Sequence, residues 1–378
     1  LEPGRDGVGD YVRLLALECA KQGHTCSLIA LEDPFLQSRS QIDNSPLSTL
    51  RISPQLGWPE RTRQAQHFLE QVQPDWLSFH FVPYSFNSKG INYDLDKHLQ
   101  PLFRGCKLHF MFHEVWIGEN HRVRLKQRII GMVQRYFIGR LICKLNPNVI
   151  HTSNPHYRDL LNQHRIQAQM LPMFGTIHNG GISGDSWVFT ALKANGFGIS
   201  SENRHKCILF GFFGTIQTHW PAEPLFQYLL ELVQQYGYKI AVISVGHLRN
   251  GAAVWSRLVE TYSSTLTFLR LDEQPTEKIS ELLNSLDFGI STTSFNIAGK
   301  SSTIAAMIEH GLPVVFNWDG EPWLLREGSP EPEEPLFWRV DDNFLSRVVN
   351  KRGRGPVYSG VQKIAMQFVH ALQESREV

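Results

Sequence analysis

The sequence predicts an α/β protein of two domains, each a doubly wound parallel sheet, facing a central cleft. Three observations lead there. Apolar strand-like runs alternate with amphipathic helical stretches over most of the chain, the pattern of parallel sheets covered by helices on both faces. The 378 residues exceed what one hydrophobic core usually serves. A break rich in Gly, Ser and Asn, "HNGGISGDSW", separates two series of comparable size. The expected division is an N-terminal domain at 1–177, a linker at 178–187, a second domain at 188–358, and a final helix at 359–378 packing back on the first domain.

The elements follow in order. A glycine turn, "GRDGVGDY", opens into the helical stretch "YVRLLALECAKQG", with Asp10 as its expected cap. Because this turn stands at the very start, a preceding strand is expected upstream of Leu1. The apolar run "HTCSLIALED" reads as a strand and "RTRQAQHFLEQV" as a helix. Two further strands, "DWLSFHFVPY" and "KLHFMFHEVW", precede a long helix from about His121 to Lys144, a short strand "NVIHTS", and "QMLPMFGTI". Beyond the break come "CILFGFFGTI", a helix through "EPLFQYLLELVQQYG", "KIAVISVG", a helix near "AAVWSRLVETY", "LTFLRL", the helix "TEKISELLNSL", "DFGIST", a helix from Ser301, and "LPVVFN". The segment "EGSPEPEEP" is an acidic, proline-rich surface loop, and "GVQKIAMQFVHALQE" a final amphipathic helix. Ligands of such sheets bind at the carboxyl ends of the strands, so those ends are where chemistry is expected.

Composition narrows the function classes. With 42% hydrophobic and 19% charged residues the chain is a folded protein rather than a disordered one. A formal charge of +1 provides no global field for nucleic acid, and no nucleic-acid module accompanies the local charges. The five cysteines are scattered and never form Cys-x-x-Cys, which reads as reduced thiols without a zinc framework. No apolar run reaches the roughly 18 residues of a membrane span and no secretory leader is evident, so a cytoplasmic protein is expected, peripheral to a membrane at most.

Particular residues point to a site. "GKSSTIAAMIEHGLPVV" begins like a nucleotide-triphosphate loop, but the earlier glycine that such a loop needs is replaced by Ser294. What remains of the pattern is a helix start at Gly299, Lys300, Ser301 and Ser302, where free N–H groups beside a lysine suit an anion. Gly214 and Thr215 end one strand and offer further phosphate donors; Gly246 and His247 end the next. His113 and Glu114 close an apolar strand, where a polar pair is poorly explained by packing. They are candidates for proton transfer, or a structural pair. His80 and His109 fall within strands and read as structural.

From Asn120 to Tyr157 no acidic residue occurs, while Arg122, Arg124, Lys126, Arg128, Arg135, Arg140 and Lys144 do. Arg124, Arg128 and Arg135 share a helix face, so residues 121–144 are expected either to rest on anionic lipid or an acidic acceptor, or to bury an apolar face beneath a solvated basic stripe.

The segments "PGRDGVGDYVRLLA", "FHFVPYSFNSKG", "MFHEVWIG", "GFFGTI" and "GKSSTIAAMIEHGLPVV" together resemble bacterial GT-B glycosyltransferases, and the last is similar to the nucleotide-sugar end of family-4-type retaining enzymes. The resemblance implies two Rossmann-like domains and a nucleoside diphosphate sugar held mainly by the C-terminal one. It implies hexosyl transfer to a hydroxyl acceptor in glycan or polysaccharide synthesis, without metal or other cofactor. Gly7 and Gly9 would then face the sugar phosphate or acceptor, His113 the reacting sugar, and Gly214, Thr215, Gly246, His247, Gly299, Lys300, Ser301 and Ser302 the diphosphate and sugar. Two features depart from the family. Its Glu-x7-Glu pair falls on Ala298 and Ala306, and "GFFGTIQTHWPAEPL" lacks the usual Arg and Lys after the strand. An epimerase or hydrolase of nucleotide sugars, or a catalytically silent binding protein of the same architecture, are the alternatives.

Overall fold

The structure is a computed structural model that describes residues 1–37, 40–118, 124–181, 186–320, 334–350 and 353–375. The chain divides into two compact units, the first built from Leu1–Met173 with Val361–Val378 and the second from Phe174–Gly320 with Glu331–Gly360.

In the first unit the elements run α1 (Gly7–Lys21), β1 (Ser27–Ala30), β2 (Gln41–Asp43), β3 (Ser48–Arg51), α2 (Trp58–Val72), β4 (Trp76–Phe81), α3 (Leu95–Phe103), β5 (Lys107–Phe112), α4 (Leu125–Leu145), β6 (Val149–Thr152), α5 (Pro155–Gln163) and β7 (Gln169–Met170). Strands β4, β5, β6 and β7 form a parallel sheet in that order, and β1, β3 and β2 a smaller one. Side chains alternate across a strand. The alternation in "SFHF" and "HFMFH" therefore sorts the sheet into two unlike faces. Phe79, Phe81, Leu108, Phe110 and Phe112 fill a core with Phe68 of α2, Leu95 and Leu99 of α3, and Ile138 and Leu141 of α4. The opposite face carries Ser78, His80, His109, Met111 and His151, with Ser78 beside His109 and Met111 beside both His80 and His151 in register.

The second unit continues with α6 (Trp187–Ala194), β8 (Cys207–Phe213), α7 (Glu223–Gln234), β9 (Lys239–Val245), α8 (Ala252–Tyr262), β10 (Thr267–Arg270), α9 (Thr276–Ser285), β11 (Phe288–Ile290), α10 (Ser302–Glu309), β12 (Val314–Phe316), β13 (Phe337–Arg339) and α11 (Phe344–Asn350). A last helix, α12 (Gly360–Glu374), returns the chain to the first unit. The six strands form one sheet in the order β10-β9-β8-β11-β12-β13, every pair parallel. Strands of such a sheet are buried on both faces and read as unbroken apolar runs, as "CILFGFF" does. Leu209, Ala241 and Ile243 meet Leu282 of α9 and Met307 of α10 on one side; Ile208, Phe210 and Val242 meet Leu229 of α7 and Leu258 of α8 on the other.

Several sequence-based boundaries shift. The expected linker at 178–187 is drawn into the second unit: Gly180 N–H donates to Ser280 Oγ at 3.0 Å, Asn179 pairs with Asn284, and Ser186 caps α6; residues 182–185 lie outside the described ones. The chain changes unit at Phe174 and again after Gly360, and one buried carboxylate touches both places. Glu309 of α10 accepts the Gly175 N–H at 2.5 Å and the Gly360 N–H. Burial raises its carboxyl to about 7, against the two N–H donors, which favour ionisation. Most of the acidic loop "EGSPEPEEP" lies outside the described residues.

Candidate functional site

In the second unit a small cleft opens at the carboxyl ends of β8 and β11, beside the first turn of α10. Thr215, Thr292, Thr293 and Thr303 are its polar lining, with Phe212 and Met307 among its apolar walls. The backbone makes this space by turning sharply. Gly214 (φ +84°) and Gly246 (φ +90°) end β8 and β9 in the left-handed region that favours glycine. Their N–H groups are engaged, Gly214 donating to the Val245 carbonyl at 2.9 Å and Gly246 to that of Asp272 at 2.7 Å. A Cβ at either position would meet only ordinary contacts, so it is the positive φ that calls for glycine here.

Thr292 ties the rim together: its hydroxyl donates to the Thr215 carbonyl and accepts from Gln217 N–H, both at 3.2 Å. At the α10 end, Ser301 is the N-cap. Its Oγ accepts from Ile304 N–H at 3.3 Å and lies 2.9 Å from Thr303 Oγ1. The sequence reading places a helix start at 299–302, and the helix itself begins at Ser302. Gly299 and Lys300 belong to a 3-10 turn, Phe295–Lys300, and the Ser301 hydroxyl is spent on its own helix. The anion-attracting features that remain are the N-terminal turn of α10 at Ser302 and Thr303, and the half-buried Lys300 just before it.

His247 is exposed and in contact with Glu273, outside the cleft lining. Thr303 belongs to the helix start that the sequence singles out, whereas Ser291, Thr292 and Thr293 were not picked out as site residues. A run of hydroxyl residues directly after "DFGI" was the available signal. Ala298 and Ala306, where the sequence resemblance would put a Glu pair, are both buried, and Ala306 lies so close to Gly175 that a Cβ on that glycine would sit 2.5 Å from the Ala306 Cα. No carboxylate stands in for the missing pair at those two positions.

In the first unit, Gly7 and Gly9 are the first turn of α1 rather than a loop before it. The cap is Asp6, which accepts Val8 N–H at 3.2 Å; Asp10 instead accepts Gly4 N–H at 3.0 Å. A Cβ on Gly9 would lie 2.6 Å from Asp6 Oδ2, so a larger residue there would displace the capping carboxylate.

His113 follows β5 directly, held by its N–H to the Phe81 carbonyl at 3.1 Å. It is buried, with the edge of the Tyr11 ring 5.2 Å away between centroids, and burial lowers its pKa to about 4 although Asp6 opposes this. The imidazole is therefore neutral at pH 7 and able to accept a proton. Glu114, next in the chain, is half-buried.

His80 and His109, read as structural, are instead linked to His113. His80 Nδ1 is 3.0 Å from His113 Nε2; Ser78 Oγ lies 3.0 Å from His80 Nε2 and 2.7 Å from His109 Nδ1; His109 Nε2 lies 3.0 Å from His151 Nδ1. Polar residues on one face of strands whose other face is phenylalanine, as in Ser78-Phe79-His80-Phe81 and His109-Phe110-Met111-Phe112-His113, are the overlooked signal.

Along α4 the buried residues Gly131, Gln134, Ile138 and Leu141 occupy one face. Leu125, Ile129, Met132 and Tyr136, spaced by four, three and four, form an exposed apolar stripe on the opposite face. Arg124 and Arg128 flank it, exposed, with Lys126 on the other side; Arg135 reaches His164 at 3.3 Å, and Arg140 forms a bidentate pair with Asp96. No described helix is long and apolar enough to cross a membrane, and residues 121–123 of the expected basic segment lie outside the described ones.

No protein-family profile matches the sequence, and the search of curated proteins finds no match. Solved structures do match in fold. The chain is similar to the catalytic domain of starch synthase IV from Arabidopsis thaliana bound to ADP and acarbose, with 12% identity, TM-score 0.59, and coverage of 100% of this chain and 98% of that one. A putative UDP-N-acetylglucosamine 2-epimerase from Listeria monocytogenes matches at 10% identity and TM-score 0.54, over 99% and 95%. WaaG, a glycosyltransferase involved in lipopolysaccharide biosynthesis, matches at 12% and 0.51, over 98% and 90%. At such identities the likeness establishes the fold: two Rossmann-like halves of the GT-B type.

Proposed function

We propose that the protein is a glycosyltransferase that moves a hexosyl unit from a nucleoside diphosphate sugar to a hydroxyl acceptor. The observation that carries this reading is the hydroxyl-lined cleft at the carboxyl ends of β8 and β11, beside the N-terminus of α10. An anionic leaving group there would meet a helix dipole, the hydroxyls of Thr215 and Thr303, and Lys300. Departure of the diphosphate is the step that such a site assists. The similarity to a starch synthase domain whose structure contains ADP supports the same assignment.

In this reading His113 takes the proton of the incoming hydroxyl or hydrogen-bonds the sugar, and Glu114 orients the acceptor. The stereochemical outcome is left open by Ala298 and Ala306. The likeness to an epimerase fold favours one competing reading, nucleotide-sugar epimerisation or hydrolysis without an acceptor. Incubation with a panel of nucleotide sugars separates the readings. Acceptor-dependent nucleotide release supports transfer, whereas turnover without an acceptor, or binding without turnover, overturns it.

Lys300→Ala is expected to weaken nucleoside diphosphate binding by about 1.5 to 3 kcal/mol, roughly tenfold to a hundredfold, with the fold retained. Calorimetric titration checks this, and an unchanged affinity removes Lys300 from the site.

The α4 stripe supports a peripheral contact with anionic lipid, since its exposed apolar residues lie between basic ones. Wild-type protein is expected to bind anionic vesicles at low salt, and replacing Arg124, Arg128 and Arg135 with Gln to reduce that binding. Co-sedimentation with no wild-type binding at low salt would leave the stripe merely solvated.

A further inference from the structure

We infer that His113, His80, Ser78, His109 and His151 form one hydrogen-bonded relay, which sets the tautomer of His113 and passes a proton between it and His151. The inference rests on His113 acting as the base proposed above. The contacts are continuous, at 3.0, 3.0, 2.7 and 3.0 Å, and each uses a different ring nitrogen or the serine hydroxyl. Among the described residues no three His, Cys, Asp or Glu side chains stand close enough to hold a metal ion, so the imidazoles are joined to one another rather than around an ion.

A neutral imidazole has one N–H donor and one bare nitrogen, and a hydroxyl has one proton to give. Every link must contain a single proton, so when Ser78 donates within the chain a neutral chain has two coherent arrangements. In one, His113 Nε2–H donates to His80, His80 Nε2–H to Ser78, Ser78 O–H to His109 and His109 Nε2–H to His151, which leaves His113 Nδ1 bare and able to accept. In the other every donor is reversed and His113 Nδ1 holds the proton. Burial enforces neutrality: it pushes His80 and His109 well below the ordinary imidazole range and His151 to about 4. Aromatic rings close over both ends of the stripe, Tyr11 of α1 on His80 and His113 and Phe368 of α12 on His109.

The proton balance is complete. When His113 Nδ1 takes a proton from a substrate hydroxyl, its Nε2 proton moves to His80 Nδ1, the His80 Nε2 proton to Ser78, the Ser78 proton to His109 Nδ1, and the His109 Nε2 proton to His151 Nδ1. The charge reaches His151 only transiently, since burial disfavours it there, and returns when the chain resets. Asp6 is the anionic group whose field acts on His113, and it favours the proton's arrival there.

Ser78 is the link to test, because it is exposed and its removal opens no cavity. The experiment is nitrogen-15 NMR of the histidine rings in wild type, Ser78→Ala and Ser78→Thr, with melting curves to confirm folding. Wild type is expected to show each ring neutral at pH 7, in a single tautomer consistent along the chain. Ser78→Ala is expected to lose the single-tautomer signature of His113, and Ser78→Thr to keep it. An unchanged His113 tautomer in Ser78→Ala, or a charged ring in the wild type, overturns the relay. Turnover separates this from the functional proposal. With a working donor and acceptor, kcat should fall in Ser78→Ala by the fraction of His113 left in the wrong tautomer, at unchanged KM, and recover in Ser78→Thr. Full kcat despite a lost tautomer would overturn the catalytic use of the relay. Absence of any transfer, with the tautomers as expected, would overturn the proposed function and leave the tautomer control standing.

Discussion

His113→Ala lowers turnover by about a hundredfold or more while leaving the affinity for free nucleotide close to that of wild type, if His113 serves the reacting sugar. The size follows from what is removed, a positioned proton acceptor or transition-state hydrogen bond. The specificity follows from location: the cleft proposed for the nucleotide is lined wholly by residues of the second unit, whereas His113 belongs to the first. Glu114→Gln is expected to act in the same direction without truncating a side chain. The sign of the pH dependence is set by the depressed imidazole pKa. With a folded value of about 4 against an ordinary value of about 6.5, His113 stays a neutral base down to about pH 4, so activity is lost only as pH falls toward that point. The same shift contributes stability that is present above about pH 6.5 and lost as pH falls through 4. Turnover, nucleotide affinity and melting temperature should be measured on the same variants. A matched loss of stability and activity, or full turnover, removes His113 and Glu114 from the chemistry.

Glu309→Gln gives the second large effect, on stability. The buried carboxyl has its pKa raised to about 7, so between the ordinary carboxylate range and pH 7 the unfolded chain has ionised while the folded one still holds its proton. Ionisation therefore favours unfolding as pH rises. Relative to Glu309→Gln, whose amide oxygen still accepts from Gly175, wild type should lose about 3 kcal/mol between pH 4.5 and 7, the order of magnitude for such a shift. Above pH 7 the difference should level off. Denaturant unfolding of both proteins across this range checks the expectation, and a flat difference would show that Glu309 is ionised in the folded protein throughout.

Most of the element order was legible in the sequence because it rests on local physics. Unbroken apolar runs such as "CILFGFF" and "KIAVISV" need burial on both faces, and the alternation with amphipathic helices leaves parallel pairing as the simple solution. The glycines at the ends of β8 and β9 read as strand-end turns, and both adopt the left-handed backbone with their N–H groups bonded to neighbouring carbonyls. The helix start after Lys300 was found to within a residue. These features depend on residues close in sequence, where turn chemistry and capping act.

What tertiary structure decided is which distant residues meet. Ser301 looks like a ligand hydroxyl until the helix consumes it as a cap, and Asp10 looks like a cap until Asp6 takes that place. His80, His109, His113 and His151 lie up to 71 positions apart, and only parallel pairing of β4, β5 and β6 in one register brings their rings into hydrogen-bonding line. Glu309 reads as an ordinary helix carboxylate; its pKa is raised because the fold buries it, although N–H donors from Gly175 and Gly360, remote in the chain, pull the other way. The sequence by itself determined where strands, helices and their polar ends fall, since local periodicity specifies them. Register, burial and the partner of each polar atom were decided only by the assembled sheets, because those depend on distances that no spacing along the chain encodes.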